Sequence, residues 1–200
     1  MSKVRSLTLD VSTWTDELIA VFTSIGNTVS NSIWDPRPDS TTQRKQIPKS
    51  DYIRDKYVHR TFMQKERDAA SLPSILSQAI HNFDIIQTHR AITEGVRLND
   101  ISEFSRPLLF QVLGFDRLNS NPREWPFEPL PHGRFVIAEL LLQNGLEIDP
   151  PDESVVDIAM EGGLQLGFMR PLGQASLLND HDAIHYLLRK GANSGHKVGT

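Results

Sequence analysis

Cysteine is absent from all 200 residues, and this absence excludes more function classes than any other feature of the composition. A chain without cysteine forms no disulfide, uses no thiol nucleophile and holds no zinc or iron–sulfur cluster through cysteine ligands. Long apolar runs are also missing, since even the stretch from Ala138 to Leu142 is broken by Glu139. We therefore expect no membrane-spanning helix, and no basic start followed by an apolar block predicts a signal peptide.

Charge is distributed unevenly along the chain. Residues 1–70 carry 11 basic and 9 acidic side chains, whereas residues 71–200 carry 10 and 16. The most basic stretch is 37–67, with nine basic and four acidic residues. This stretch predicts either weak contact with an anionic membrane or acidic partner, or a solvated surface, because acidic residues are interspersed in it. No nucleic-acid partner is expected, since nucleic-acid-binding domains are much more basic.

The first third of the chain predicts one short strand followed by helices. Residues 5–11 alternate apolar and polar side chains, as a half-buried strand does. Thr15 is a suitable N-cap for a helix. The apolar stripe expected on that helix is Leu18, Phe22, Ile25, Val29 and Ile33. Gly26 followed by Asn27 interrupts the stripe, so we expect two consecutive helices. A further helix, from Ser50 to about Met63, is expected to bury Ile53 and Tyr57.

The remainder of the chain contains three segments that end alike. Their second helices are predicted to close at Gly95, Gly145 and Gly191, because each glycine follows a helical apolar pattern. Arg-Pro-Leu precedes two of them, at Arg106 and Arg170, and proline fits the first helical turn. The glycines are 50 and 46 residues apart, longer than the ankyrin period of ~33 residues. Insertions at 115–133 and 154–169 account for the excess, and an unrelated helical bundle is the alternative.

Several separated motifs in the front segment occur in the order known from one protein family. Residues 2–10 read SKVRSLTLD, and Trp14, Glu17-Leu18, Ile25-Gly26-Asn27 and Asn31 follow. The last motif is Lys56-Tyr57-Val58 with a phenylalanine four residues on. Together they resemble the part of the Arf GTPase-activating protein (Arf GAP) domain that follows its zinc finger. The arrangement is similar to the subgroup in which ankyrin repeats follow that domain.

This resemblance implies a mainly α fold with two parts. Residues 1–68 correspond to the C-terminal part of an Arf GAP domain, a short strand plus helices without the zinc finger. Residues 71–200 correspond to about three degenerate ankyrin repeats. In the family, a four-cysteine zinc finger and the catalytic arginine lie upstream of the strand, so we expect a truncated domain. We therefore expect no catalytic, cofactor-binding or metal-binding residues in this chain. Because the zinc finger and the arginine finger are missing, we expect the chain alone to be catalytically incompetent.

The resemblance also implies partners. It assigns Lys3, Leu9 and Asp10 to the surface that faces an Arf-type small GTPase, although Leu9 in the core and Asp10 as a turn cap are equal alternatives. The function implied is stimulation of GTP hydrolysis in membrane traffic, by a cytoplasmic protein peripheral to membranes. The ankyrin repeats imply other protein partners. A non-enzymatic ankyrin binding module with a vestigial half-domain is the alternative function.

A pair of histidines is the remaining candidate for metal chemistry. His181 and His185 stand four residues apart, which places both imidazoles on one face of a helix. The glutamate of the His-Glu-x-x-His pattern is missing, and the sequence offers no evident third ligand. We therefore interpret both as surface or structural histidines at the start of a repeat's second helix.

Overall fold

A computed structural model of the chain describes residues 13–36, 47–63, 67–100, 104, 107–114, 133–149 and 170–192. These residues form eight α-helices: α1 Asp16–Trp34, α2 Lys49–Tyr57, α3 Leu72–His81, α4 Ile85–Glu94, α5 Leu108–Leu113, α6 Gly133–Gln143, α7 Pro171–Leu177 and α8 His181–Arg189. A 3-10 turn, Ala69–Ser71, leads into α3. The described part contains no strand, and the mainly α fold class is confirmed. The predicted strand at 5–11 lies outside the described residues.

Helix α1 begins where the sequence predicts and is interrupted at the predicted glycine. The Thr15 hydroxyl accepts a hydrogen bond from the Leu18 amide at 3.3 Å, which satisfies one of the free donors at the helix start. Gly26 has φ 54° and ψ 177°, a conformation that side chains with a Cβ rarely adopt. The expectation of two consecutive helical stretches is therefore confirmed, with a kink between them.

The buried face of α1 differs from the expected stripe, in which Ile25 and Val29 are only half-buried and Phe22 is exposed. Leu18 and Ile33 are buried as expected, but Phe22 is 58% exposed. Val21 takes the inward position instead, and one residue along a helix turns the next side chain by about 100°. Phe22 therefore packs against Trp14, with 5.7 Å between the ring centroids. The burial predicted for Phe22 is wrong.

Helix α2 is shorter than predicted and presents the opposite face to the protein. It ends at Tyr57 rather than near Met63, and Ile53 and Tyr57 are about half exposed rather than buried. The inward side chains are Tyr52, whose hydroxyl donates to Asp35 Oδ2 at 2.7 Å, and Lys56. Because polar contacts orient the helix, its apolar residues turn outward.

The other six helices form three contacting pairs in chain order, α3 with α4, α5 with α6 and α7 with α8. Gly95, Gly145 and Gly191 follow the second helix of each pair, and all three have positive φ, between 88° and 109°. The predicted left-handed ending of each repeat is therefore confirmed. Asp84 and Asp180 cap α4 and α8 through hydrogen bonds to backbone amides.

Arg170, which precedes the proline at the start of α7, departs from the ankyrin pattern. It occupies the N-cap position of α7 without a side-chain cap hydrogen bond, whereas threonine stands there in the ankyrin motif. The predicted insertion 154–169 lies outside the described residues. So does 115–133, except that Gly133 is already the first residue of α6. The division into 1–68 and 71–200 stays a prediction.

Neighbouring pairs are joined by a shared apolar core and by polar bridges. Asn99 donates to the Gly145 carbonyl and accepts from the Glu147 amide, both at 2.9 Å, so its side chain connects two successive repeat turns. The buried Arg134 guanidinium binds Asp180 through two hydrogen bonds of 2.7 and 2.9 Å. The fully buried apolar side chains include Leu76, Ile80, Leu108, Leu113, Ile137, Leu141 and Leu187.

Helix α1 is packed against this stack rather than separated from it. It contacts α6 and α4, the second helices of the second and first pairs. Glu17 adds an ion pair to Arg189 of α8, the second helix of the third pair. The front helix therefore reaches the second helix of every pair.

Candidate functional site

The three residues that the resemblance assigns to the GTPase-facing surface, Lys3, Leu9 and Asp10, lie outside the described residues. The structure therefore neither brings them together nor separates them, and their assignment stays a prediction. The residues that the structure describes begin directly after this segment, with Thr13 and Trp14 leading into α1.

A cleft of about 660 Å³ lies where α1 meets α4 and α6. Trp14 and Phe22 form an aromatic wall on the α1 side, next to the kink at Gly26. Gln143 and Asn144 at the end of α6 supply polar groups on the other side. The other lining residues are Leu18, Val21, Ile25, Asn27, Ser30, His89 and Leu140. The cleft combines an apolar floor with a few uncharged polar groups.

His89 is the titratable side chain in this lining. Both of its ring nitrogens are buried and make no hydrogen bond in the described part of the chain. Burial disfavours the charged imidazolium, so it lowers the pKa of His89 below the ordinary value of 6.5. A neutral imidazole without an acid or base partner does not form a general acid–base pair. His89 instead is a buried polar group whose protonation is unfavourable.

Charged side chains hold the outer end of α1 in place. Arg189 Nη2 lies 2.6 Å from Glu17 Oε1. Burial works against ionisation of Glu17, but the hydrogen bonds from Arg189, its own backbone amide and Thr15 outweigh it and hold its pKa below 4.5. Glu17 is therefore an anion at neutral pH, paired with a cation 172 residues away.

A second carboxylate, Glu139 of α6, is almost completely buried between α6 and α8, with 1% exposed. Lys190 Nζ lies 2.5 Å from its Oε2, and Gln143 donates to its Oε1 at 2.8 Å. The Tyr186 hydroxyl donates to Oε2 at 3.3 Å. The pKa of Tyr186 is raised, mainly by burial and in second place by the negative charge of Glu139. This phenol therefore remains a proton donor. This group is a structural network, since every member bonds another.

The histidine pair proposed from the sequence lies where expected. His181 is the first residue of α8, and both His181 and His185 are exposed. Across the ranges that the structure describes, no group of three or more histidine, aspartate or glutamate side chains is arranged to hold a metal ion.

In those same ranges no helix is long and apolar enough to cross a bilayer.

Residues 1–66 match the profile of a family described as putative GTPase activating protein for Arf. This segment is similar to the GTPase-activating domain of Arf GTPase-activating proteins. The match covers the front segment up to α2 and ends just before the first helix pair. The family resemblance drawn from the separated motifs is confirmed. The family acts on Arf GTPases.

Curated relatives are also named as Arf or ADP-ribosylation factor GTPase-activating proteins, and some of these names include ANK repeats. The chain is similar to chicken (Gallus gallus) Arf-GAP with coiled-coil, ANK repeat and PH domain-containing protein 2, with 40% identity over 82 residues. The human protein of that name is 40% identical over 77 residues. ADP-ribosylation factor GTPase-activating protein AGD1 of Arabidopsis thaliana is 29% identical over 127 residues. These matches cover 36%, 36% and 50% of the chain but only 10%, 10% and 14% of the relatives.

The residues of this Arf GAP segment do not fit the zinc that the family resemblance implies. Zinc held by four cysteines needs thiolate ligands, and the 200 residues contain no cysteine. We therefore derive no chemical step through that metal from this chain.

Two interactions around the candidate site could not be found from the sequence. Glu17 with Arg189, and Glu139 with Lys190, are separated by 172 and 51 residues, and no local pattern pairs them. By contrast, the repeat pattern does predict the helix that contains His89. The burial of its side chain, however, depends on the packing of α1 against that helix.

Proposed function

We propose that this chain is the GTPase-binding and scaffolding portion of a regulator of Arf-type small GTPases, and that the 200 residues alone do not accelerate GTP hydrolysis. The match of residues 1–66 to the Arf GAP family carries the first part of the proposal. The second part rests on the absence of cysteine and on the family position of the catalytic arginine, upstream of the motifs matched here. Since the chain spans about a tenth of its relatives' length, their activity is a proposal for this chain.

The packing of α1 supports a scaffolding role. Because α1 contacts α4 and α6 and is bonded to α8, the residues leading into it are anchored to all three helix pairs. A binding surface supported by a rigid stack keeps its geometry when the partner arrives, and this lowers the entropic cost of binding. The stack would therefore hold Trp14, at the entry to α1, in a fixed position.

Single-turnover GTP hydrolysis by an Arf-type GTPase tests the proposal. Purified chain is expected to leave the rate unchanged. A fusion carrying the zinc finger and catalytic arginine that the family resemblance implies directly upstream is expected to raise it, by up to ~10³–10⁵-fold if that arginine acts as an arginine finger. Acceleration by the unfused chain would contradict the proposed incompetence. An inactive fusion that has folded and bound zinc would contradict the GTPase-activating assignment.

Binding in the absence of lipid tests the GTPase-facing residues. We propose that Lys3, Leu9 and Asp10 contact the GTPase, as the resemblance implies, so Lys3→Glu and Asp10→Ala are expected to weaken binding to Arf loaded with a non-hydrolysable GTP analogue. Arg97→Gln is the matched control, because Arg97 is exposed and pairs locally with Asp100. Equal weakening by all three variants would refute the assignment of the contact to the front strand segment.

The runner-up function is a non-enzymatic ankyrin binding module. The bridge from Asn99 to the turn at Gly145 favours it, since successive repeats joined at their turns present one continuous surface to protein partners. Failure of the chain to bind Arf in either nucleotide state, with the fold intact, would leave this function as the remaining one. We also propose, for both functions, contact of residues 37–67 with anionic membranes.

A further inference from the structure

Helix α2 buries its lysine and exposes its apolar side chains, the reverse of an ordinary surface helix. Lys56 is 6% exposed, and its Nζ donates to Asn31 Oδ1 at 2.6 Å. The same ammonium lies 5.3 Å from the centre of the Tyr57 ring. Meanwhile Val58, directly after the helix, is 70% exposed, and Ile53 and Tyr57 are about half exposed. A buried charge and an exposed apolar cluster are each unusual, and their occurrence side by side on one helix calls for a functional explanation.

The exposed residues form one continuous face. Lys49, Ile53 and Tyr57 follow one another at spacings of four, so they lie along one line of the helix. Arg54 and Val58 repeat that spacing on the adjacent line. We call these five residues the outer face of α2. The face alternates exposed apolar side chains with two cations.

Neither cation of the outer face is neutralised by the protein. In the described part of the chain, Lys49 and Arg54 have no carboxylate partner, although the acidic Asp51 and Asp55 belong to the same helix. Residues 37–67 carry a net charge of +5, whereas the rest of the chain carries −9. The outer face therefore attracts anions at one place on a protein that otherwise repels them.

We propose that the outer face of α2 binds an anionic lipid surface, with Ile53, Tyr57 and Val58 entering the headgroup region and Lys49 and Arg54 meeting lipid phosphates and carboxylates. This inference rests on the proposed function, because it gives the Arf-binding segment a defined orientation on the membrane. Long basic side chains beside apolar ones match a lipid interface, since their stems lie along apolar surface while the charges stay in water. Tyr57 is suited to the same depth, as an amphipathic ring.

Flotation or co-sedimentation of the full chain with vesicles tests the inference. The chain is expected to bind phosphatidylcholine vesicles containing phosphatidylserine much more strongly than pure phosphatidylcholine vesicles, and to release them as salt rises. Lys49→Gln with Arg54→Gln is expected to lower the partition about fivefold per residue at low salt. Ile53→Ser with Val58→Ser is expected to lower it about tenfold, through lost apolar area.

Matched controls come from other exposed positions. Ile86→Ser on α4 removes an exposed apolar side chain, and Arg97→Gln removes an exposed charge, both outside α2. Both controls are expected to bind vesicles like the unaltered chain. Equal losses in controls and outer-face variants would overturn the inference, as would equal binding to neutral and anionic vesicles. Circular dichroism of each variant establishes that its helices are retained.

A second readout separates this inference from the proposed function. Binding to Arf is measured in solution without vesicles, where the outer-face variants are expected to match the unaltered chain. If they lose Arf binding and keep vesicle binding, the face docks a protein and the lipid inference is wrong. If the unaltered chain fails to bind Arf but binds vesicles through the outer face, the inference stands and the proposed function fails.

Discussion

Arg189 in the last helix donates a hydrogen bond of 2.6 Å to the carboxylate of Glu17 in the first helix. The two residues bracket almost all of the described chain, since they are 172 positions apart. Glu17 also lies in the first turn of α1, where its negative charge interacts favourably with the positive end of the helix dipole. One side chain thus stabilises both a helix start and a contact between the two ends of the fold.

Glu17→Gln is expected to lower the free energy of unfolding by up to about 1 kcal/mol, because Arg189 is half exposed and its charge is screened by water. The lowered pKa of Glu17 means that the stabilisation is present above pH 4.5 and disappears as the pH falls through the folded-state pKa. Urea unfolding at low and high salt measures it. A loss that persists undiminished at high salt would indicate a packing effect instead of an ion pair.

Lys190→Met is expected to destabilise the fold much more, by about 3–5 kcal/mol, because it leaves the buried carboxylate of Glu139 without its cation. Adding Glu139→Gln to the same chain is expected to restore much of the loss, since the remaining amide still accepts hydrogen bonds. Thermal and urea unfolding of the two variants and of Glu139→Gln alone complete the comparison. Additive losses in the double variant would show that the two side chains do not act as a pair.

Asp180 performs two tasks that substitutions can separate. Its carboxylate binds Arg134 and also accepts from the Ala183 amide as the cap of α8. Asp180→Asn keeps a capping side chain and loses the charge, whereas Asp180→Ala loses both. We expect the alanine variant to be less stable than the asparagine variant by about 1 kcal/mol, the usual value of a cap. Equal stabilities in urea unfolding would show that the cap contributes nothing.

Acid is also expected to act on Asp180. Burial raises its pKa, but the hydrogen bonds from Arg134 and Ala183 outweigh this and hold the pKa below 3.8. The stabilisation is therefore complete above pH 3.8 and is lost below it, as the folded-state carboxylate takes up its proton.

His89 is expected to make the fold sensitive to milder acid. Its lowered pKa means that, as the pH falls below 6.5, the unfolded chain takes up a proton that the folded chain resists. Stability should then decline by at most about 1.4 kcal/mol per pH unit. His89→Gln is expected to flatten urea-unfolding stability between neutral pH and about 5. The control is His181→Gln, at an exposed histidine, which should retain the decline; a flattened profile there would disprove the assignment to His89.

Features that depend on neighbouring residues in the chain were predictable from sequence. Thr15 precedes a helical pattern, Gly26 interrupts one, and the glycines at 95, 145 and 191 terminate three, so local backbone preference determines each of them. The family assignment also came from the sequence, because separated motifs occur in a fixed order. Secondary-structure type and repeat endings are local properties, and the structure agrees on both.

Features that depend on which surfaces meet were not predictable. The sequence correctly predicted helices around Phe22 and around Ile53. It did not show which side of each helix would face the rest of the protein, and both side chains are exposed. In α2 the hydrogen bonds of Tyr52 and Lys56 decide the orientation against hydrophobic periodicity. Their partners lie elsewhere in the chain, since Asn31 is in α1 and Asp35 directly follows it. The site residues Lys3, Leu9 and Asp10 remain sequence predictions.

The position of α1 across the helix pairs also bears on how the chain can be divided in the laboratory. A cut between residues 68 and 71, where the sequence changes character, would strip Leu18 and Val21 from the surfaces of α4 and α6 that cover them. Each fragment would then expose to water apolar surface that is buried in the whole chain, and such exposure commonly causes recombinant fragments to aggregate. For this protein, the family boundary along the chain is a poor place for a fragment to begin or end.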